Sequence, residues 1–176
     1  MSSPPLLFPA DYDLLLVIGG YNGNGENLAE VELVTLDPDD YPVPPCLENL
    51  QALPVELYAA AGAVDEAGNP FICGGIIYTT SGRISQDKCY KYDAQRDSWE
   101  QHGTMPYTAG FTADTEVPGL GLVMVGGEGD GNGNEVIATT DGMTFQELDQ
   151  FPPGSTYGGK TIQKHLTINF RAYFHG

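Results

Sequence analysis

Three pairs of adjacent glycines, each at the end of a short apolar run, limit what this 176-residue chain can fold into. From Gly20 to Gly75 is 55 residues and from Gly75 to Gly127 is 52, and each of the last two pairs follows a proline (Pro54 or Pro106) by the same 21 residues. Internal similarity at a period of about 50 residues is typical of repeat proteins, in which one supersecondary unit recurs. The spacing therefore predicts about three repeat units. Their glycine pairs are Gly19-Gly20, Gly74-Gly75 and Gly126-Gly127.

The segments that follow the glycine pairs predict two further strands in each unit. In the second unit, KCYKYDAQRDSWEQ places Tyr92 and Trp99 seven positions apart, on either side of a turn. No segment shows helical periodicity, and turn residues separate the short apolar runs. We therefore predict about four strands in each unit. The matching positions are Leu36 and Val43 in the first unit and Phe145 in the third, with turns at 38–40, 95–97 and 141–142.

These positions have a physical explanation. A glycine pair at the end of a strand permits backbone torsions and close approaches that other residues do not. A large aromatic side chain on an outer strand can fill the space between sheets that fan outward from an axis. Strands that crowd around that axis need small side chains, as YAAAGAV (58–64) and YTAGFTA (107–113) provide.

The glycine pairs and the Tyr-Trp spacing, in units of about 50 residues, resemble the kelch repeat, which forms a four-stranded blade of a β-propeller. The second unit has Gly74, Gly75, Tyr92 and Trp99, whereas the other units keep the glycines and fewer aromatic residues. The resemblance implies an all-β fold of kelch-type blades, an incomplete propeller of about three four-stranded blades. The boundaries are an N-terminal extension at 1–13, a partial propeller at 14–165 (units 14–53, 54–105 and 106–151, with a fourth starting at 152) and a divergent tail at 166–176.

Three blades are fewer than the four to eight that usually close a propeller. The first unit also lacks a predicted inner strand before LLLVIGG, and no glycine pair stands at 172–173, where the repeat predicts one. A truncated product, a variant with an altered end and a piece that associates with another copy all fit this pattern. Because an open array exposes unpaired edges and apolar faces, we expect self-association through the open blade edges.

The segment GSTYGGKT (154–161) matches the phosphate-binding loop of nucleotide-hydrolysing proteins, with Lys160 and Thr161 in the phosphate and magnesium places. Such a loop follows a buried parallel strand and opens a helix. Here QELDQFPP precedes it, with two prolines that a central strand does not tolerate, and IQKHLTINF follows with strand-like alternation. The segment also occupies the small-residue place of the repeat. We interpret the match as a coincidence.

The loops after the glycine pairs invite a calcium-site hypothesis, because Asp130, Asn132 and Asn134 alternate as ligands do in a calcium loop. Glu135, however, stands where the sharp turn needs glycine, and Asp141 where a bidentate Glu belongs. Because Asn-Gly and Asp-Gly suit tight turns, we interpret these loops as plain turns rather than as calcium sites. No residue set predicts a metal site, a cofactor or a catalytic constellation.

The charge of the chain excludes some classes of partner. Asp and Glu number 24 against 7 Lys and Arg, so nucleic acid and anionic membranes are not expected partners. No stretch is apolar over the roughly 18 to 20 residues that span a bilayer. The N-terminus lacks the basic region of a secretory signal. The compartment stays open between the cytoplasm and, if the N-terminus is incomplete, the extracellular space.

Two of the three cysteines fall opposite each other if the strands that carry them pair. Cys73 lies in the strand that ends at the second glycine pair, and Cys89 lies in the strand that leads to Tyr92. A disulfide across that loop would add about 3 kcal/mol of stability. Two free, partly buried thiols are the alternative. Cys46 has no partner in either case.

The kelch resemblance implies protein recognition, because such propellers present loop surfaces to protein partners. We expect the binding residues to be Tyr78, Arg83 and Lys88, since they form a basic, aromatic loop on an acidic body. Ordinary solvated loop residues are the alternative explanation. The rival function is that of a fragment of a propeller enzyme acting on sugars, like the galactose oxidases or a sialic-acid epimerase. The chain offers no acid–base cluster for that chemistry, so we do not expect an enzyme.

Overall fold

The computed structural model describes residues 14–35, 46–150 and 168–170, and these ranges contain strands, turns and loops but no helix. None of the described residues therefore belongs to a helix that could span a membrane. The strands are β1 (Leu14–Tyr21), β2 (Asn27–Thr35), β3 (Cys46–Leu50), β4 (Ala61–Val64), β5 (Pro70–Cys73), β6 (Ile76–Thr79), β7 (Gly82–Ser85), β8 (Lys88–Asp93), β9 (Ser98–Thr104), β10 (Ala109–Gly110), β11 (Ala113–Val117), β12 (Gly121–Val125), β13 (Glu128–Gly129), β14 (Val136–Thr139), β15 (Gln146–Glu147) and β16 (Ile168–Phe170).

The described strands form three four-stranded antiparallel sheets, which we call blades 1, 2 and 3. Their strand orders are β16-β1-β2-β3, β4-β5-β8-β9 and β11-β12-β14-β15. Two short additional sheets, β6-β7 and β10-β13, lie in the connections. The inner strand of blade 2, β4, contacts both β11 and β16, so the inner strands of the three blades lie side by side. The fold is thus all-β and made of partial propeller blades, and this prediction is confirmed.

The inner strand of blade 1 comes from the C-terminal part of the chain. β16 pairs with β1, Leu14 opposite Phe170 and Leu16 opposite Ile168, just as β4 pairs with β5. The sequence predicts no inner strand before LLLVIGG and a divergent tail at 166–176. Within that segment, residues 168–170 form the strand that pairs with β1. A three-residue strand that pairs with the other end of the chain has no local sequence signal.

The glycine pairs occupy equivalent places in the three blades. The first glycine of each pair has φ between 59° and 69°, and the second between 98° and 134°. These values lie in the region that residues with a Cβ rarely adopt. The first pair lies just before the last residue of β1, and the other two pairs directly follow β5 and β12, the second strands of their blades.

Each of the first two glycine pairs passes directly against the segment that enters the next blade. The N–H of Gly20 donates to the carbonyl of Leu57 at 2.9 Å, and that of Gly75 donates to the carbonyl of Ala109 at 2.8 Å. A Cβ on the preceding glycine, Gly19 or Gly74, would overlap the same carbonyl oxygen. The pair therefore provides the left-handed backbone and the close approach that join one blade to the next.

Apolar side chains fill the spaces between neighbouring blades. Alternation along β5 sends Ile72 toward blade 1, and Phe71 and Cys73 toward blade 3; all three are almost fully buried. The cluster between blades 1 and 2 contains Leu16, Val31, Leu33, Leu50, Leu53, Leu57, Ile72, Tyr92 and Trp99. The cluster between blades 2 and 3 contains Ala61, Ala63, Phe71, Cys73, Cys89, Met105, Ala109, Leu122, Met124 and Ile137.

Tyr92 and Trp99 lie opposite each other on β8 and β9, with their ring centroids 5.2 Å apart. Both are buried against blade 1, so the aromatic pair fills the space between two sheets. The Tyr92 hydroxyl donates a hydrogen bond of 2.8 Å to the Asp97 carboxylate. The same carboxylate accepts the N–H of Gln51 at 2.9 Å. Asp97 thereby joins the turn of blade 2 to the end of blade 1.

Cys73 and Cys89 lie opposite each other on β5 and β8 and form a disulfide. The loop between them is longer than a simple turn, because it contains the separate hairpin β6-β7. The disulfide therefore closes the base of this hairpin.

Several predicted features lie outside the described residues. They are Leu36, Val43 and the turn at 38–40 in the first unit, the extension at 1–13, and GSTYGGKT with Lys160 and Thr161. Of the remaining turns, the one after β8 is observed at 94–97, and residues 140–145 connect β14 to β15.

Candidate binding surface

Aromatic residues from the connections of all three blades come together at one place. Tyr21 ends β1, and Tyr58 lies in the segment that enters blade 2. Tyr78 and Arg83 lie opposite each other in the hairpin β6-β7, and Phe111 lies in the segment that enters blade 3. These five residues, Tyr21, Tyr58, Tyr78, Arg83 and Phe111, are called the aromatic surface below.

The four rings form a connected row. Tyr78 and Tyr21 have centroids 5.9 Å apart with planes at 65°, and Tyr21 and Tyr58 are 5.3 Å apart at 42°. Tyr58 and Phe111 continue the row at 5.6 Å and 75°. Tilted and edge-to-face pairs at these distances are favourable aromatic geometries. Tyr21 is 48% exposed and Tyr78 is 46% exposed, so much of the row faces solvent.

Arg83 sits at one end of the row. Its guanidinium carbon lies 5.9 Å from the centroid of the Phe111 ring, and Nη1 lies 3.2 Å from Oε2 of Glu128. Both charged side chains are nearly half exposed, so the ion pair adds at most about 1 kcal/mol. A cation–π contact at an exposed site adds a similar amount. The two contacts orient the guanidinium without burying it.

The backbone under the rings is held in an unusual conformation. Phe111 has φ of 53° and Ala59 has φ of 57°, and the two residues occupy matching places at the entries to blades 3 and 2. The N–H of Phe111 donates to the carbonyl of Ala59 at 3.1 Å. A non-glycine residue in this region costs about 1–2 kcal/mol, and strained positions of this kind cluster at functional sites.

The hairpin β6-β7 is fixed to its neighbours. The Asn27 side chain accepts the N–H of Tyr78 at 3.0 Å and donates to the Tyr78 carbonyl at 2.9 Å. Tyr58 and Ile76 exchange two backbone hydrogen bonds of 3.0 and 2.7 Å. Because all of these bonds use backbone groups of the hairpin, they position the Tyr78 ring without engaging its hydroxyl.

Burial raises the pKa of Tyr58, the nearby Arg83 opposes this effect, and Glu128 adds to it. Because the net pKa lies above its ordinary value of 10.0, the hydroxyl stays protonated at neutral pH. A protonated phenol can donate a hydrogen bond.

The acidic side chains of the loop between β12 and β14 accept hydrogen bonds from within the protein. The Asp130 carboxylate accepts the side-chain hydroxyl of Thr108 at 2.8 Å and its N–H at 2.6 Å, which lowers the pKa of Asp130. Burial raises the pKa of Glu135, but hydrogen bonds from backbone N–H groups such as that of Asn132 outweigh it, so the net pKa is lowered. Among the described residues, no group of three or more His, Cys, Asp or Glu could hold a metal ion.

The structure brings together two of the three residues that the sequence singled out. Tyr78 and Arg83 both belong to the aromatic surface, whereas Lys88 lies on β8 with its Nζ 3.0 Å from Asp87. Lys88 therefore takes no part in the row of rings. Sequence reasoning missed Tyr21, Tyr58 and Phe111. The available signal was their position just after a glycine pair or in the small-residue segments, since the repeat places those segments in neighbouring connections.

A polar cleft of about 370 Å³ lies at the opposite end of blade 2 and includes Lys91, Asp93, Glu100 and His102. Lys91 pairs with Asp65 at 2.5 Å, and Arg96 lies within 3.7 Å of Glu100 and 3.5 Å of Asp93. Burial raises the pKa of Asp65, but hydrogen bonds from Lys91 and Asn69 lower it further than burial raises it. These charges satisfy one another, so the cleft is less suited to binding than the aromatic surface.

Comparison with solved structures supports the fold. The chain is similar to YjhT, a kelch-type propeller protein, with a TM-score of 0.58 and 12% sequence identity. The match covers 78% of this chain and 43% of YjhT, so the chain spans less than half the length of that protein. At this identity the likeness shows the fold alone. No protein-family model matches the chain, and no curated protein matches it.

Proposed function

We propose that this chain is a kelch-type protein-interaction module that binds a protein partner through the aromatic surface. The observation that carries the proposal is the solvent-facing row of aromatic rings, with Tyr21 and Tyr78 each about half exposed and Arg83 at its end. Tyr and Arg are enriched among the few residues that dominate the binding energy of interfaces.

The rigidity of the surface supports the same function. Tyr side chains provide a large contact area with only two side-chain torsions to fix. Here the hairpin that carries Tyr78 is also held by Asn27, by the bridge to Tyr58 and by a disulfide at its base. A surface that is already ordered loses little entropy on binding, which raises its affinity for a given area.

Binding is favoured over catalysis because the acidic groups beside the surface are already used. Asp130 and Glu135 accept hydrogen bonds from their own loop or its neighbour, and Glu128 pairs with Arg83. A hydrolytic or isomerising site on a sugar needs an acid and a base that face the substrate. The proposal is therefore a binding module rather than an enzyme.

The test is a selection of binders from an unbiased library of short displayed peptides, followed by affinity measurements on variants. We expect Tyr78→Ala to weaken the selected binders by about tenfold or more, because an aromatic anchor is lost. The Asn27 side chain makes its hydrogen bonds to the backbone of Tyr78 and not to its ring, so the hairpin should keep its position in this variant.

The matched control is Met143→Ala. Met143 is 53% exposed and lies in the connection from β14 to β15, at the opposite end of β14 from the loop that carries Glu128. Its truncation should leave the affinities within about twofold. Binders that tolerate Tyr78→Ala but are lost with Met143→Ala would overturn the proposal.

A further inference from the structure

We infer that the aromatic surface takes a proline-rich segment in the polyproline II conformation, with Lys or Arg beside the prolines. This inference rests on the proposed function and names the class of partner. Three properties of the surface support it: the tilted arrangement of its rings, the hydrogen-bond donors that it offers, and the charge around it.

The aromatic lining suits a polyproline II helix. Such a helix has three residues per turn, so prolines three positions apart share one edge, and these edges dock in aromatic-lined grooves. The rings follow one another in steps of 5.3 to 5.9 Å. Because neighbouring rings are tilted by 42° to 75°, they leave grooves between ridges rather than a flat platform.

The donors also suit this ligand. A polyproline II backbone makes no internal hydrogen bonds, so its carbonyl groups seek donors. The phenols of Tyr21 and Tyr78 lie on exposed side chains, and that of Tyr58 stays protonated. A sugar ligand would need many polar side chains, but Asn27 and Asp130 are committed to hydrogen bonds within the protein.

The charge favours basic residues in the ligand. The chain has 24 acidic residues and 7 Lys and Arg. At the aromatic surface Arg83 is offset by Glu128, and Glu26 is exposed in the loop that follows Tyr21. A ligand with Lys or Arg beside its prolines gains attraction from this acidic surround, and the gain weakens as salt is added.

The experiment measures the fluorescence polarisation of three labelled peptide pools on the full chain. One pool has a fixed P-x-x-P core flanked by Arg, the second has the same core flanked by Glu, and the third has alanine in place of the prolines with Arg flanks. We expect the first pool to bind about tenfold or more tightly than either of the others. Added salt should weaken its binding.

The variants separate the contributions of ring and hydroxyl. Tyr78→Ala should remove the preference for the proline pool, Tyr78→Phe should retain most of it, and Met143→Ala should not change it. Equal binding of the proline and alanine pools overturns the polyproline assignment. Equal or tighter binding of the Glu-flanked pool overturns the charge assignment.

The outcome also distinguishes this inference from the proposed function. If binders from the unbiased library depend on Tyr78 while all three pools fail, the surface binds proteins but not proline-rich segments. If neither the library nor the pools give a binder that depends on Tyr78, both proposals fail.

Discussion

Replacing Gly74 by alanine tests how one blade is joined to the next. Gly74 has φ of 69°, and a Cβ there would overlap the carbonyl oxygen of Ala109 and lie 2.9 Å from the Met105 methyl. The matched control is Gly68→Ala, because Gly68 has φ of 82° and a Cβ at that position would have no neighbouring atom within 4 Å. Both variants carry the backbone strain, and only Gly74→Ala adds the clash between blades.

The structure gives a magnitude for each variant. The left-handed backbone costs a residue with a Cβ about 1–2 kcal/mol, which is the whole expected effect of Gly68→Ala. Gly74→Ala adds the cost of overpacking, about 1–3 kcal/mol. It also displaces the carbonyl that accepts the Gly75 N–H at 2.8 Å, which costs about 1 kcal/mol more. We therefore expect Gly74→Ala to cost about 3–6 kcal/mol.

Urea unfolding measures this difference. Trp99 is the only tryptophan and is buried between blades 1 and 2, so its fluorescence reports the loss of that packing. With a typical dependence of about 1–3 kcal/mol per molar urea, the Gly74→Ala midpoint should lie about 1 M or more below that of Gly68→Ala. Failure of Gly74→Ala to fold, with Gly68→Ala folded, supports the same reasoning. Equal midpoints would refute it.

Four further predictions follow from the contacts described. Tyr92→Phe removes the hydrogen bond to Asp97 and should lower the free energy of unfolding by about 1 kcal/mol in urea titrations, with an unchanged fold by circular dichroism. The lowered pKa of Asp65 means that its contribution to stability is present above its ordinary value of 3.8 and is lost as the pH falls through the folded-state pKa; Asp65→Asn should flatten that part of a plot of stability against pH. The disulfide joins residues 16 positions apart, and its reduction should lower the free energy of unfolding by about 3 kcal/mol. Urea titrations with and without a reducing agent measure this difference. Finally, the chain should self-associate through its blade edges, seen as a molecular mass in sedimentation that rises with concentration; a monomer at all concentrations would contradict this.

The sequence predicted the features that depend on local chemistry. The glycine pairs have a left-handed backbone that residues with a Cβ adopt only at a cost, so their spacing alone indicates the repeat. Tyr92 and Trp99 face each other across a short turn, and Cys73 and Cys89 lie on adjacent strands, so register alone brings each pair together.

The remaining features depend on contacts between distant parts of the chain. β16 pairs with β1 across almost the whole sequence and has only three residues, so no local pattern identifies it. The hairpin β6-β7 forms its own two-stranded sheet and is bridged at Ile76 to Tyr58, a contact that no local pattern indicates. Tyr21, Tyr58 and Phe111 come from different units and meet only because the connections of neighbouring blades converge. A single-sequence pattern does not contain that information.

The aromatic surface exists only if the connections of neighbouring blades bring their aromatic side chains together. The most direct measurement is a nuclear Overhauser experiment on the chain with labelled tyrosine rings, assigned with single Tyr→Phe variants. We expect ring-to-ring contacts from Tyr21 to both Tyr58 and Tyr78. Contacts of Tyr21 with neither ring, in a folded sample, would contradict this expectation.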